Sequence, residues 1–284
     1  MENSLFKRAV GMLGLGKDSG SQATTAPERL SREQLAAILA EGGSSSFPNS
    51  DLSGQDLSSM DMTGLDLEGA NLQGADLRGA NLSEAILRAT RLCGADFTGA
   101  RLTGADLSNA NCLRTGADSD IHVILRDADL SGAILLGSNL AHCELAGANL
   151  AGAMLREANL TAADLTGARF TGANLDGANL RHAQLQDADF TNADLATADL
   201  TRAACAGARF TDANLHRTSL AEADLQRSDF TGADLTEADF ERADLRQAVL
   251  LGANVEKADF DEAKLEDADL TGIDTRLAYN LASR

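Results

Sequence analysis

Leu or Phe recurs at every fifth residue through most of the chain, with Ala two places before it and Asp or Asn one place before it. The segment ANLQGADLRGANL around Leu72, Leu77 and Leu82 and the segment TGADLTEADFERADL around Leu235, Phe240 and Leu245 carry the same five-residue unit. One phase of centres runs from Leu52 to Cys112 and a second from Leu125 to Leu270, giving 13 and 30 units, or 43 pentapeptides. The second-phase centres are 22 Leu, six Phe, one Cys and one Val. A period of five fits neither the ~3.6 residues of an α-helical turn nor the strict alternation of a flat strand. It requires a backbone that turns a corner every five residues, in a solenoid whose units bury their apolar side only by stacking on neighbours.

The period of the coil is also legible. Phe170, Phe190, Phe210 and Phe230 follow one another at a constant interval of four pentapeptides, and Phe240 and Phe260 do the same. Four pentapeptides per turn would therefore stack ring over ring. Thr171, Thr191, Thr211 and Thr231 repeat at the same interval and predict a ladder on the surface. With strands ~4.8 Å apart, about 10.75 coils give a rod of roughly 50 Å. The expected core is the centres, Leu130, Leu150, Phe170, Phe190, Phe210, Phe230, Phe240 and Phe260 among them, with the alanines that let the walls approach. The residue before each centre and the two after it are expected to point outward.

The A-[DN]-L-x-x unit, repeated over about 225 of the 284 residues, resembles the pentapeptide-repeat family. That resemblance implies an all-β, right-handed quadrilateral β-helix, close to duplex DNA in width. It also implies a role in protein interaction. Members of the family that confer quinolone resistance mimic DNA, engage DNA gyrase and dimerise through their C-terminal end. Loops projecting at interruptions of their repeat assist partner binding.

Departures from the period mark the segments. Residues 1–27 read as a flexible tail, in which Phe6, Ala9, Val10 and Leu13 share one helical face and offer a membrane-surface or partner contact as the alternative. In residues 28–47, Ser31 followed by Gln34 has the form of a capping box, so REQLAAILAEGG reads as a short helix closing the first coil and stopping at Gly42 and Gly43. The repeat occupies 48–272. Its phase slips between Cys112 and Leu125, where about eight extra residues predict a loop within 113–124. There Asp118, Asp120 and His122 alternate as ligand-type residues on a surface insertion. Residues 273–284 read as a C-terminal cap helix with Asp274 as its N-cap, and Leu277, Tyr279 and Leu281 as a small apolar face for closing the coil or for joining a second rod.

Chemistry beyond the repeat is sparse. Cys112 and Cys205 stand at centres and Cys143 at an Ala position, so only Cys93 is expected to face outward. No cysteine pair has zinc spacing or suggests a disulfide framework, which favours the cytoplasm. The N-terminus lacks the apolar run of a signal peptide, and no membrane span is expected. His122, His142, His182 and His216 are expected to lie apart, and no nucleophile or phosphate-loop motif occurs, so neither an enzyme nor a cofactor is predicted.

Charge is the one quantitative pointer to a partner. The repeat holds 17 basic and 37 acidic residues, a net charge of −20, and residues 220–270 alone carry 15 acidic and five basic groups. The latter amounts to roughly one net charge per 1.2 Å of rod, comparable with the one per ~1.7 Å of duplex DNA. Such a surface repels nucleic acid and is drawn to basic protein clefts. Two readings follow: a protein-interaction scaffold, and a DNA mimic acting on a DNA-binding enzyme such as gyrase. The second would use Asp224, Asp229, Asp234, Asp239, Asp244, Asp259 and Asp269.

Overall fold

The computed structural model describes residues 31–40, 46–112 and 122–281. Within them the repeat is a β-helix solenoid built from single parallel bridges rather than long strands, each joining a residue to its counterpart four pentapeptides later, as in Asp194 to Asn214. The bridges sort the residues before the centres into four columns, one per side of the coil. Face 1 contains Asn159, Asn179 and Asp199; face 2 Asp164, Gln184 and Ala204; face 3 Arg169, Asp189 and Arg209; face 4 Met154, Asn174 and Asp194.

The hydrogen bonds of one unit explain the motif. The amide of Leu195 donates to the carbonyl of Asn214 (2.7 Å), Thr197 to His216 (2.9 Å), Ala198 back to Leu195 (3.0 Å) and Asp199 to Ala178 in the preceding coil (2.9 Å). One amide is left over, that of Ala196, and the Asp194 side chain accepts it at 3.2 Å. Asp and Asn reach their own backbone two residues on, so this residue type supplies the acceptor that the coil lacks. Every Asp or Asn directly before a centre does the same wherever the partner amide is described, from Asp51 to Asp269. These outward side chains are not free: one oxygen of each turns back to close the corner, and most are half-buried.

Two residues after each centre, wherever that residue is described, the chain takes the left-handed conformation, at φ +56° in Thr197 and +65° in Gly172. Glycine adopts it without strain, while side-chain-bearing residues are strained there.

Leu and Phe centres with their alanines fill the axis, nearly all without exposure. Phe170, Phe190, Phe210 and Phe230 stack at 4.7, 5.0 and 4.8 Å between centroids. Phe240 and Phe260 stack at 4.8 Å, and Phe230 meets Phe240 edge-on at 5.9 Å. Leu130 and Leu150 continue the first column, fully buried.

Across the phase slip the bridge interval grows. Asp96 pairs with Ile124 and Arg101 with Asp129, an interval longer than the regular one by eight, and the columns are taken up again on the far side.

At the N-terminal end, helix α1 spans Arg32–Ala40. Its capping is reciprocal: the Gln34 side chain accepts the Ser31 amide (2.7 Å) and the Ser31 hydroxyl accepts the Gln34 amide (3.3 Å). Leu35 and Ile38 join the core cluster of the coil. Arg32 donates to the backbone carbonyls of Asp56 and Ser58, at 2.7 and 3.0 Å. Residues 1–27, Gly42 and Gly43 lie outside the described residues.

The C-terminal end differs from expectation. Among the described residues of 273–284 there is, in place of a cap helix, one 3-10 turn, Thr275–Leu277, with the Asp274 carboxylate accepting the Arg276 amide. The chain then rejoins the coil, Tyr279 bridging Asp259 on face 1. Leu277 and Leu281 do not share a side: Leu281 is buried in the core cluster, while Leu277 and Tyr279 are exposed. Another bridge satisfies the backbone amides of this segment better than a short isolated helix would.

Candidate functional site

The seven candidate aspartates all precede centres, and the coil distributes them around the rod. Asp239 and Asp259 stand on face 1, Asp224 and Asp244 on face 2, Asp229 and Asp269 on face 3, and Asp234 on face 4. No single face gathers them. Each also closes its own corner, for example Asp229 with the amide and hydroxyl of Thr231 at 2.9 and 2.6 Å. Burial pushes the Asp229 carboxyl up, but the hydrogen bonds from Thr231 and from Thr211 in the neighbouring coil hold it below the usual carboxylate value. Asp244 is lowered chiefly by Arg246, whose guanidinium contacts it at 2.7 and 2.8 Å. Lys264 also approaches Asp244, at 3.7 Å. Asp269 is lowered by the Thr271 hydroxyl and amide.

Basic groups of the acidic end are likewise drawn into the frame. Arg202 pairs with Glu222 and Arg242 with Glu262, each at 2.8 Å, along one corner. Along another, Glu237 receives Arg217 at 2.7 Å and Lys257 at 3.7 Å. Each partner stands one full coil from the other, a spacing visible in the sequence once the coil period is known.

Asp118 and Asp120 lie outside the described residues. His122 is described, and the expectation that the four histidines lie apart is corrected for it: its ring stacks on that of His142 at 5.5 Å. His122 therefore already occupies a corner position one coil below His142. Among the described residues no group of three or more His, Cys, Asp or Glu side chains is arranged to hold a metal ion.

The four cysteines are free and buried. Cys93, expected to face outward, is only 5% exposed. Ala141, in the same column one place after its centre, is also buried, whereas Ala146, Ala151 and Ala196 at the same position in other columns are half-buried. The Cys112 thiol is pushed up by its hydrogen bond with Cys143 and by burial, and burial with Asp224 nearby pushes up Cys205. Thiols in this state are poor nucleophiles.

Face 4 also carries an apolar group. Ile134 and Met154 occupy the Asp/Asn position of adjacent coils and bridge one another. Leu136 follows in the same coil as Ile134, and Leu136 and Met154 are 40% and 46% exposed. The signal is present as AIL and AML where the unit mostly reads ADL or ANL. No helix among the described residues is long and apolar enough to cross a membrane.

The sequence profile of the pentapeptide repeats matches residues 44–79, 75–111, 124–161, 158–196, 198–237 and 238–274, in eight copies. None of the curated proteins matches the chain. Among solved structures the chain is similar to HetL, a pentapeptide repeat protein involved in heterocyst differentiation regulation in the cyanobacterium Nostoc sp. strain PCC 7120. That similarity has 31% identity, covers 88% of this chain and 96% of HetL, and has a TM-score of 0.44. QnrB1, a plasmid-mediated fluoroquinolone resistance protein, is 16% identical over 84% of this chain and 95% of its own, with a TM-score of 0.45. Rfr23 from the cyanobacterium Cyanothece 51142 is 22% identical over 58% of this chain and 92% of its own, with a TM-score of 0.30.

Proposed function

The chain belongs to the pentapeptide-repeat family, and from that membership we propose that it is a non-catalytic protein-interaction module: a right-handed, four-sided coil of about 43 pentapeptides that presents long regular faces to another protein. The observation that carries this reading is the filled axis. Inward positions hold Leu, Phe and Ala at or near zero exposure, so recognition is left to the outer faces. Those faces carry a net negative charge, which disfavours nucleic acid as the direct partner. The buried free thiols support a reducing compartment such as the cytoplasm.

A second reading is favoured by one observation, the concentration of 15 acidic against five basic groups in residues 220–270. A slim rod of this charge density would enter a basic saddle built for DNA, such as that of gyrase. Dimerisation through the Leu277 and Tyr279 end would present two such rods.

One titration separates the readings. Purified chain is added to gyrase supercoiling reactions with and without a quinolone, at low and high salt. Mimicry predicts inhibition or protection that weakens with salt. The scaffold reading predicts neither, together with a stoichiometric protein retained by the immobilised chain. A chain that retains no protein and leaves gyrase unaffected contradicts both.

A further inference from the structure

Resting on the interaction-module reading, we propose that Ile134, Leu136 and Met154 on face 4 form a docking surface for a basic amphipathic helix of a partner protein. At most corners an Asp or Asn accepts the amide two residues on, as Asn174 does from Asp176 at 3.0 Å. Ile134 and Met154 have no acceptor to offer, so the amides of Leu136 and Arg156 lose that cap. The same substitutions leave aliphatic surface in water, with Leu136 40% and Met154 46% exposed. Leu136 and Met154 recover little within the coil, because side chains this exposed add little to the core; Ile134 is half-buried. Side chains that break the local rule without gain to the fold mark places where something outside it is served.

The surroundings choose the occupant. In the same column Asp106 precedes the apolar pair and Asn174 follows it, with Asp194 one coil further on. Arg156 beside it is held between Glu157 at 3.6 Å and Asp176 at 3.4 Å. The rim is therefore acidic and suits a cationic partner. A second copy brings the same acidic rim and a net charge of −19, and three side chains cover far less than the ~800 Å² per partner of a standard interface. An extended strand is disfavoured as well: along this face the coil's own bridges occupy the backbone. A helix needs no backbone pairing. Its side chains three or four residues apart stand ~5–6 Å from one another, close to the ~4.8 Å step between coils.

The test uses the full chain and two labelled Leu/Lys peptides of about five helical turns with identical composition. One has its leucines on a single helical face and the other has them scattered. Fluorescence anisotropy is expected to give about tenfold tighter binding of the one-faced peptide. The triple variant Ile134→Asn, Leu136→Thr, Met154→Asn is expected to abolish that preference while keeping a melting temperature at or above the parent's. Asp234→Asn with Asp239→Asn is expected to retain it. Equal binding of both peptides, or a preference that survives the triple variant, overturns the proposal. So does sedimentation showing a dimer that the triple variant dissolves, which would assign the surface to a second copy. The peptide assay involves neither gyrase nor the natural partner, so its failure is distinguishable from failure of the interaction-module reading.

Discussion

Leu195 and Thr197 are two residues apart and meet opposite media. Leu195 lies on the axis with no exposure, whereas Thr197 is exposed at a corner with φ +56°. Truncating Leu195 to Ala should cost about 2–5 kcal/mol, as for other buried leucines. Thr197→Gly should be close to silent: it relieves a strained left-handed Thr, but gives up a hydrogen bond to Asp176 and adds freedom to the unfolded chain. Thermal melts of the two variants check the inward and outward assignment, and equal shifts would contradict it. A second pair isolates packing from strain. A Cβ at Gly207 would lie 2.5 Å from the Asp187 carboxylate, while one at Gly172 meets nothing within 4 Å, and both glycines have positive φ. Gly207→Ala should therefore lower the melting temperature more than Gly172→Ala. Sequence alone sets the axis residues correctly, because every fifth position obeys one rule. It misplaces Cys93, which is buried although most residues directly after a centre are half-buried or exposed.

The ends of the coil are only partly legible. Helix α1 can be read from Ser31 and Gln34, whose side chains carry the capping chemistry in the sequence itself. Replacing Ser31 with Ala should destabilise the helix by about 1 kcal/mol, seen as an earlier loss of protection in hydrogen exchange for residues 32–40 than for the central coils. At the other end, Asp274, Leu277 and Leu281 match a helical spacing, yet the backbone pairs Tyr279 with Asp259 instead. Helical spacing over so few residues cannot outweigh a ready-made bridge edge. The phase slip is legible in size, since eight extra residues follow from counting, but not in extent. His122 reads as part of the loop, yet it stacks on His142 one coil away. The Arg202–Glu222 and Arg242–Glu262 pairs are legible in principle, because their members recur at the coil period.

For the whole molecule, two electrostatic effects compete. A net charge of −19 favours expansion through self-repulsion, whereas hydrogen bonds to the carboxylates favour the fold. The carboxylate shifts decide in favour of the bonds. At Asp189 and Asp199 burial acts upward but is outweighed by Thr191 and Thr201 with neighbours from adjacent coils, and both carboxyls are held below their usual value. A carboxyl whose folded pKa lies below its unfolded one contributes stability that is in place above about pH 4 and fades as pH falls through the lowered value. The melting temperature should therefore decline steadily on acidification below about pH 4. A rise over that range would mean that self-repulsion governs the rod.

At this scale the candidate site is the least legible part. Acid density is plain from composition, but its spread over four faces and its use in closing corners follow from the register of the coil. The exceptional face 4 residues stand out only once the task of the Asp/Asn position is known.

That task is the centre of the account: the polar residue before each centre is there first to accept a corner amide. Met154 and Asn174 occupy this position in adjacent coils of one column, so a reciprocal exchange tests it directly. Met154→Asn should raise the melting temperature, and Asn174→Met, which removes the acceptor of the Asp176 amide, should lower it by the equivalent of about 1 kcal/mol. Shifts of the same sign in both variants, or a fall for Met154→Asn with a rise for Asn174→Met, would contradict the account.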